Sequence, residues 1–282
     1  MTSIQAALRT AAARLAPLPQ ASPRLEAELL LAEALGQTRD RLYAWGDLDL
    51  DPDQLARFNA WIDARLAGQP IAYLLGRRAF WTLDLAVTPA VLIPRPETEL
   101  LVELALGCGA PDTALQAADL GTGSGALAAA LASERPGWMV HAVEVSAPAL
   151  AVARANLDRL GLERVQTYLG SWFDALPKGT GLDLVVANPP YLADTDPHLA
   201  QGDLPWEPNG ALAAGPSGLE ALGQIISLAA DWLVAGGWLW LEHGWEQGAA
   251  VRNLLTGRGF AEVQTHRDLA GLERASGGRW LG

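Results

Sequence analysis

The chain has 282 residues, a formal charge of −12 and a pI near 4.7; half of it is hydrophobic and 18% is charged. That apolar share supports a sizeable core and excludes wholesale disorder, while the acidic balance argues against a tight nonspecific grip on nucleic acid, which rests on Lys and Arg neutralising phosphates. The single cysteine, Cys108, excludes an internal disulfide and a Cys-rich zinc site and fits a reducing compartment, and none of the four histidines is spaced as a metal pair, so no metal is expected.

Met1 to Gln20 has no long apolar stretch and reads as a helical start rather than a signal peptide. No window reaches 18 uncharged apolar residues, so the expectation is a soluble, cytoplasmic protein with no membrane partner. Ala6, Leu8, Ala12 and Leu15 lie along one helical face; Leu25, Leu29, Ala32 and Leu35 repeat the pattern with Gly36 as a C-cap. Asp51-Pro52 opens a third helix that Gly68 closes. Residues 1–75 are therefore expected to form a small helical domain. Alternation around Phe80–Val87 reads as a strand or hairpin within a linker over 76–95, and residues 96–282, opening on a helix through Leu106, as the main domain.

From Leu115 onward strands and helices alternate. The strands are expected at Leu115–Leu120, Met139–Val145, Val165–Leu169, Leu182–Ala187, Gly237–Glu242, Ala261–Arg267 and Arg274–Leu281. Helices are expected near 125–134, 147–160, 218–235 and 245–258. This alternation implies an α/β doubly wound sheet. No helix separates the last two strands, so the final one should return antiparallel.

The most informative residues are Asn188-Pro189-Pro190-Tyr191, which follow the apolar strand Leu182–Ala187. Neither proline can donate to a ladder, so the backbone breaks just past a strand's C-terminal end, where open α/β sheets bind ligands. An amide, carbonyls and an aromatic face there suit a planar NH2, either a base amine or a carboxamide. Upstream, Asp119-Leu120-Gly121-Thr122-Gly123-Ser124-Gly125-Ala126 follows the first strand and opens a helix, so its backbone can approach a ligand closely. Gly121, Gly123 and Ala126 also satisfy the dinucleotide pattern, leaving a nicotinamide enzyme as a competitor. Glu144, about 20 residues further on, ends the second strand and can accept from two ribose hydroxyls. Trp172, after the third strand, suits either adenine stacking or the core.

In the order of these motifs the chain resembles the class I S-adenosylmethionine-dependent methyltransferases, and more closely the release factor glutamine methyltransferases. The likeness covers essentially the whole chain. It rests on Ile93-Pro94-Arg95-Pro96-Glu97-Thr98-Glu99, on Asp119–Gly125 and on Asn188–Tyr191. It also includes Pro197-His198-Leu199, Gly202-Asp203, Glu207-Pro208 and Leu241-Glu242-His243-Gly244. The resemblance implies a seven-stranded, Rossmann-like class I methyltransferase sheet with a small N-terminal helical domain joined by a β-hairpin. It implies that Gly121, Thr122, Gly123, Ser124, Gly125, Glu144, Trp172 and Asn188 contact S-adenosylmethionine, whose product is S-adenosylhomocysteine. It implies that Asn188, Pro189, Pro190 and Tyr191 hold a glutamine, and that Asn188, Pro189 and Tyr191 serve catalysis. The partners it implies are bacterial class I peptide chain release factors, with no stable nucleic acid; the helical domain would help hold the protein substrate. Two positions depart from the family: Glu144 stands where Asp is usual, and Ser171 where an acid is common.

The chemistry expected is in-line methyl transfer to the N5 nitrogen of a glutamine in a Gly-Gly-Gln motif. Asn188 Oδ1 and the Pro189 carbonyl would accept the two amide hydrogens while Tyr191 flanks the amide plane. Arg95 and Glu97 would either order the linker or pair on the surface. The rivals are an adenine-N6 or guanine-N2 nucleic-acid methyltransferase, an enzyme acting on a ribosomal-protein glutamine, and a non-catalytic binding module.

Overall fold

A computed structural model describes residues 2–19 and 22–282. Of the expected start from Met1 to Gln20, both end residues lie outside the described residues, as does Ala21. The chain divides into two compact units: residues up to Arg77 with Ala200–Trp206, and Arg78–Leu199 with Glu207–Gly282.

The first unit carries α1 (Ile4–Leu15), α2 (Pro23–Leu35), α3 (Arg39–Ala44), α4 (Pro52–Leu66) and α5 (Ile71–Leu75). Ser3 caps α1 by accepting from Ala6 N at 3.3 Å, and Asp51 caps α4 by accepting from Asp53 N at 2.9 Å, with Pro52 at the first turn. Gly36 ends α2 in the left-handed region (φ 62°), as its sequence position suggested. Leu8, Leu15, Leu30, Leu31, Phe58 and Ile62 form the core. Arg65 ties the 200–206 segment into this unit, bonding Glu26 at 2.9 Å and Asp203 at 3.3 Å. Three helices were expected here; α3 and α5 are additional, and at six and five residues they are too short to show a 3.6-residue period.

A hairpin of β1 (Arg77–Phe80), whose first residue still belongs to the first unit, and β2 (Leu83–Ala86) leads into the second unit, followed by α6 (Glu99–Leu106). There follow β3 (Gln116–Leu120), α7 (Ala126–Glu134), β4 (Met139–Glu144), α8 (Ala147–Arg159), β5 (Gln166–Leu169) and β6 (Leu182–Ala187). Then come α9 (Glu220–Ala229), β7 (Leu233–Glu242), α10 (Gly248–Arg258), β8 (Ala261–Arg267) and β9 (Glu273–Arg279). Seven strands pair in the order β5-β4-β3-β6-β7-β9-β8; β9 runs antiparallel to both of its neighbours, as expected. Both faces are covered, because successive side chains alternate: Leu184 and Val186 enter one apolar cluster with Leu127, Leu131 and Trp138, while Val185 and Ala187 enter the other with Ile225, Leu239 and Leu255.

Two expected boundaries move. The helix expected over 218–235 ends at Ala229, and β7 begins at Leu233. Gly236 and Gly237 lie inside the strand, where the register shifts between Leu182 and Leu184; Gly236 takes φ 92°, and the irregularity absorbs the pair instead of delaying the strand. The helix expected from 245 starts at Gly248, because residues 244–247 form a turn in which the Gln247 side chain accepts from Gly244 N at 2.8 Å.

Candidate active site

Strand order places a topological switch at β3: the chain runs outward through β4 to β5, then returns to the opposite side of β3 as β6. A cavity of about 430 Å³ lies at the C-terminal ends of these strands, within the size range of small-molecule sites. All of its lining residues belong to the second unit.

The loop after β3 forms one wall. Gly121, Thr122, Gly123 and Ser124 line the cavity, and Gly121 and Gly123 adopt φ 76° and 57°, where a side chain would be strained. Gly125 does not line it. Its missing Cβ instead lets the start of α7 approach Ala153 of α8, which a Cβ would meet at 3.4 Å. Asp119 anchors the loop from below, its Oδ2 accepting from Thr122 Oγ1 at 2.6 Å and from Ala128 N at 3.1 Å. Burial, with Glu144 nearby, pushes the Asp119 carboxyl up to about 7.

Glu144 is buried at the end of β4 and lines the cavity. Oε2 accepts from Gly123 N and Oε1 from Ser146 N, both at 2.9 Å, so the carboxylate braces the glycine loop and the start of α8. Each oxygen keeps acceptor capacity. Ser171 and Trp172 also line the cavity. Trp172 packs against a core cluster, the second of its two expected roles, and a Cβ on Gly121 would stand 3.4 Å from its ring. Its φ of 44° is rare for an aromatic residue, and its Nε1 donates to Gln224 Oε1 at 3.0 Å.

After β6, Asn188 and Pro190 line the cavity, whereas Pro189 and Tyr191 are not among the lining residues. Asn188 Nδ2 donates to Thr98 Oγ1 at 3.1 Å. The Tyr191 hydroxyl turns inward and donates to Glu242 Oε1 at 3.2 Å; burial and that carboxyl raise its pKa well above the usual tyrosine value. Glu242, at the end of β7, is itself 1% exposed, and burial pushes its carboxyl up to about 7 against the opposing pull of Thr98, Arg274 and Tyr191. Gln247 Nε2 donates to the Tyr191 carbonyl at 2.9 Å and to that of Gly218 at 3.2 Å. Arg95, which also lines the cavity, forms an ion pair with the buried Glu207 rather than with Glu97, joining the linker to the segment that follows the Asn-Pro-Pro-Tyr turn.

Thr98, Glu207, Glu242 and Gln247 had no role assigned from the sequence. Glu242 carried a usable signal: like Glu144, it is an acid at the end of an apolar strand. So did Asn156, a polar residue on the inner face of α8. It is fully buried, and its Nδ2 donates to the carbonyls of Ala86 and Ser124, both at 2.9 Å, joining the hairpin to the glycine loop. The buried pair His243 Nε2 and Ser276 Oγ, 2.7 Å apart, looks like a nucleophile and base, but neither residue is exposed and no substrate reaches it.

Residues 6–76 match the PrmC N-terminal domain, and residues 98–202 match the methyltransferase small domain. The chain is 49% identical over 92% of its length to a release factor glutamine methyltransferase of Pseudomonas aeruginosa, covering 93% of that protein. It is 51% identical to the one of Bordetella pertussis (91% and 94% covered) and 45% identical to that of Coxiella burnetii (97% and 98%). Among solved structures, a methyltransferase from Pyrococcus furiosus superposes with a TM-score of 0.54 at 20% identity, over 79% of this chain and 99% of that one. The hMettl16 catalytic domain gives 0.57 at 18% identity, over 77% and 81%; at such identities the likeness is one of fold.

Proposed function

The chain belongs to the release factor glutamine methyltransferase family, and on that footing we propose that it methylates the N5 nitrogen of the glutamine in the Gly-Gly-Gln motif of bacterial class I peptide chain release factors. Its methyl donor is S-adenosylmethionine, which supplies a methyl group activated by a positively charged sulfur. The cavity suits that group on its own chemistry. Gly121 and Gly123 leave backbone rather than Cβ at the wall, and the Glu144 carboxylate stands ready for ribose hydroxyls. Trp172 offers an aromatic surface beside Gly121. Glu144, one methylene longer than the family's usual Asp, is already held at both oxygens by backbone N–H groups, which fixes its reach.

One observation carries the substrate reading. Asn188 stands on the cavity wall with its NH2 committed to Thr98, while its Oδ1 and the Pro189 carbonyl take no hydrogen bond from another described residue. Two unclaimed acceptors at a strand end fit the two hydrogens of a carboxamide. A primary amide is a poor nucleophile, because its lone pair is delocalised into its own carbonyl. Holding both hydrogens fixes the nitrogen on line with the methyl and stabilises the positive charge that develops on it. Orientation of this kind is worth up to ~7–11 kcal/mol, against ~1–3 kcal/mol for one hydrogen bond, so positioning dominates and the proton leaves to water after transfer. Tyr191 would flank the amide, its hydroxyl tethered by Glu242 and its carbonyl by Gln247. The helical unit matched to the N-terminal domain model would hold the protein substrate.

The test incubates the protein and S-adenosylmethionine with unmethylated release factor, with a ribosomal-protein substrate and duplex DNA in parallel. Mass spectrometry should find one added methyl on the Gly-Gly-Gln glutamine. Asn188→Ala should lower turnover by about 10²–10³, the cost of removing one preorganised charge-stabilising contact, with cofactor affinity nearly unchanged. Methyl found only on DNA or on the ribosomal protein would overturn the substrate.

A further inference from the structure

An asparagine can serve this chemistry in only one orientation of its amide. With Oδ1 toward the cavity it accepts a substrate N–H; turned by 180° it presents two hydrogens to two hydrogens. We propose that Thr98 is the positioning residue that settles this choice: its hydroxyl accepts the Nδ2–H of Asn188 and keeps Oδ1 facing the cavity. The inference rests on the carboxamide-substrate reading and extends it to a residue that does not hold the substrate itself.

The argument follows the single proton of Thr98. Thr98 is 5% exposed, and its hydroxyl has one hydrogen and two lone pairs. Were that hydrogen free, it could be donated to Asn188 Oδ1, and the amide would be equally content reversed. Glu242 limits that freedom. The residue is 1% exposed, its Oε1 already accepts from Tyr191, its Oε2 has no partner among the described residues, and Thr98 is among the groups that favour its ionised form. Above about pH 7, where Glu242 is ionised, its carboxylate only accepts and competes for the Thr98 hydrogen. The Thr98 lone pair then faces Asn188 and selects the donor end of the amide, at the observed 3.1 Å. Thr98 is itself placed by the one-turn helix Pro96–Thr98, at the mouth of α6. The linker motif thereby orients the side chain that begins the Asn-Pro-Pro-Tyr turn, 90 residues away in sequence.

The experiment measures kcat and KM for release factor in Thr98→Val and Thr98→Ser, with S-adenosylhomocysteine affinity determined by calorimetry in each. Thr98→Val should lose about tenfold or more in kcat/KM while cofactor affinity moves less than about twofold. Thr98→Ser, which keeps the hydroxyl, should stay within about threefold of the parent. The two changes are then repeated in Asn188→Asp, whose oxygens both accept. With orientation immaterial, Thr98→Val should cost less than about threefold in that background, a non-additivity that general loosening of the fold would not produce. A parent-like Thr98→Val, a Thr98→Ser as impaired as Thr98→Val, or equal losses in both backgrounds would each overturn the assignment. A parent protein that methylates no glutamine would instead overturn the substrate reading, and this inference with it.

Discussion

Replacing Glu242 with glutamine should change the slope of stability against pH as well as its level. The Glu242 carboxyl, ordinarily near 4.5, is pushed up to about 7 by burial. Between those values the folded protein holds a proton that the unfolded chain releases. The contribution to stability is therefore fully present below pH 4.5 and is lost as pH rises through 7. At ~1.4 kcal/mol per pH unit, the parent should lose about 2–3 kcal/mol from this group between pH 5 and pH 8. Asp119, also pushed up to about 7, adds a loss of the same sign, but it is present in both proteins and cancels in the comparison. Glu242→Gln also weakens the bond from Tyr191, which offsets the curve by a constant without tilting it. Urea unfolding at pH 5, 6, 7 and 8 would give the difference between parent and variant. That difference should favour the parent most at pH 5 and shrink by about 2–3 kcal/mol by pH 8. Parallel curves would refute the reasoning and mean that Glu242 titrates near its ordinary value in the folded state.

Glu144→Ala should weaken S-adenosylhomocysteine at least tenfold by calorimetry, since it removes acceptors for two hydroxyls worth ~1.5–3 kcal/mol each and frees Gly123 N; unchanged affinity would remove its role. Gln247→Ala severs the bonds to the carbonyls of Tyr191 and Gly218 and to Gly244 N, and should lower kcat with faster amide exchange at Gly244. An unaltered kcat would mean that the turn holds itself. Gly277→Ala puts a Cβ 2.2 Å from the Trp240 ring and 2.4 Å from the Leu239 carbonyl, at the centre of β9. It should cost at least the ~1–3 kcal/mol of ordinary overpacking, read as a drop in Tm; an unshifted Tm would show that β7 and β9 can part there.

Much of the site was legible because its parts are local. The glycine loop and Asn188–Tyr191 sit directly after apolar strands and Glu144 ends one, so a short run of residues contains both the strand signal and the break that ends it. The C-cap at Gly36 and the N-cap at Asp51 were readable for the same reason. The short helices α3 and α5 were not, because one turn and a half has no period to detect. Nor was the early start of β7, where pairing of Leu233 with Leu182 outweighs the interruption that Gly236 and Gly237 suggest.

The amino-acid sequence by itself determined the order of strands and helices, the backbone breaks at the strand ends and the residue types offered at each, because these follow from periodicity, proline and glycine within a few positions. Only the tertiary structure decided which of them meet. Arg95 could have paired with Glu97 two residues away, and instead it reaches Glu207. Asn188 donates to Thr98, and Tyr191 to Glu242. These partners are set by strand order, which brings β6 between β3 and β7 and so places residues far apart in sequence within hydrogen-bonding distance. Burial then shifts Asp119 and Glu242 to about 7, a change that no stretch of sequence encodes because it depends on how much water the finished fold excludes.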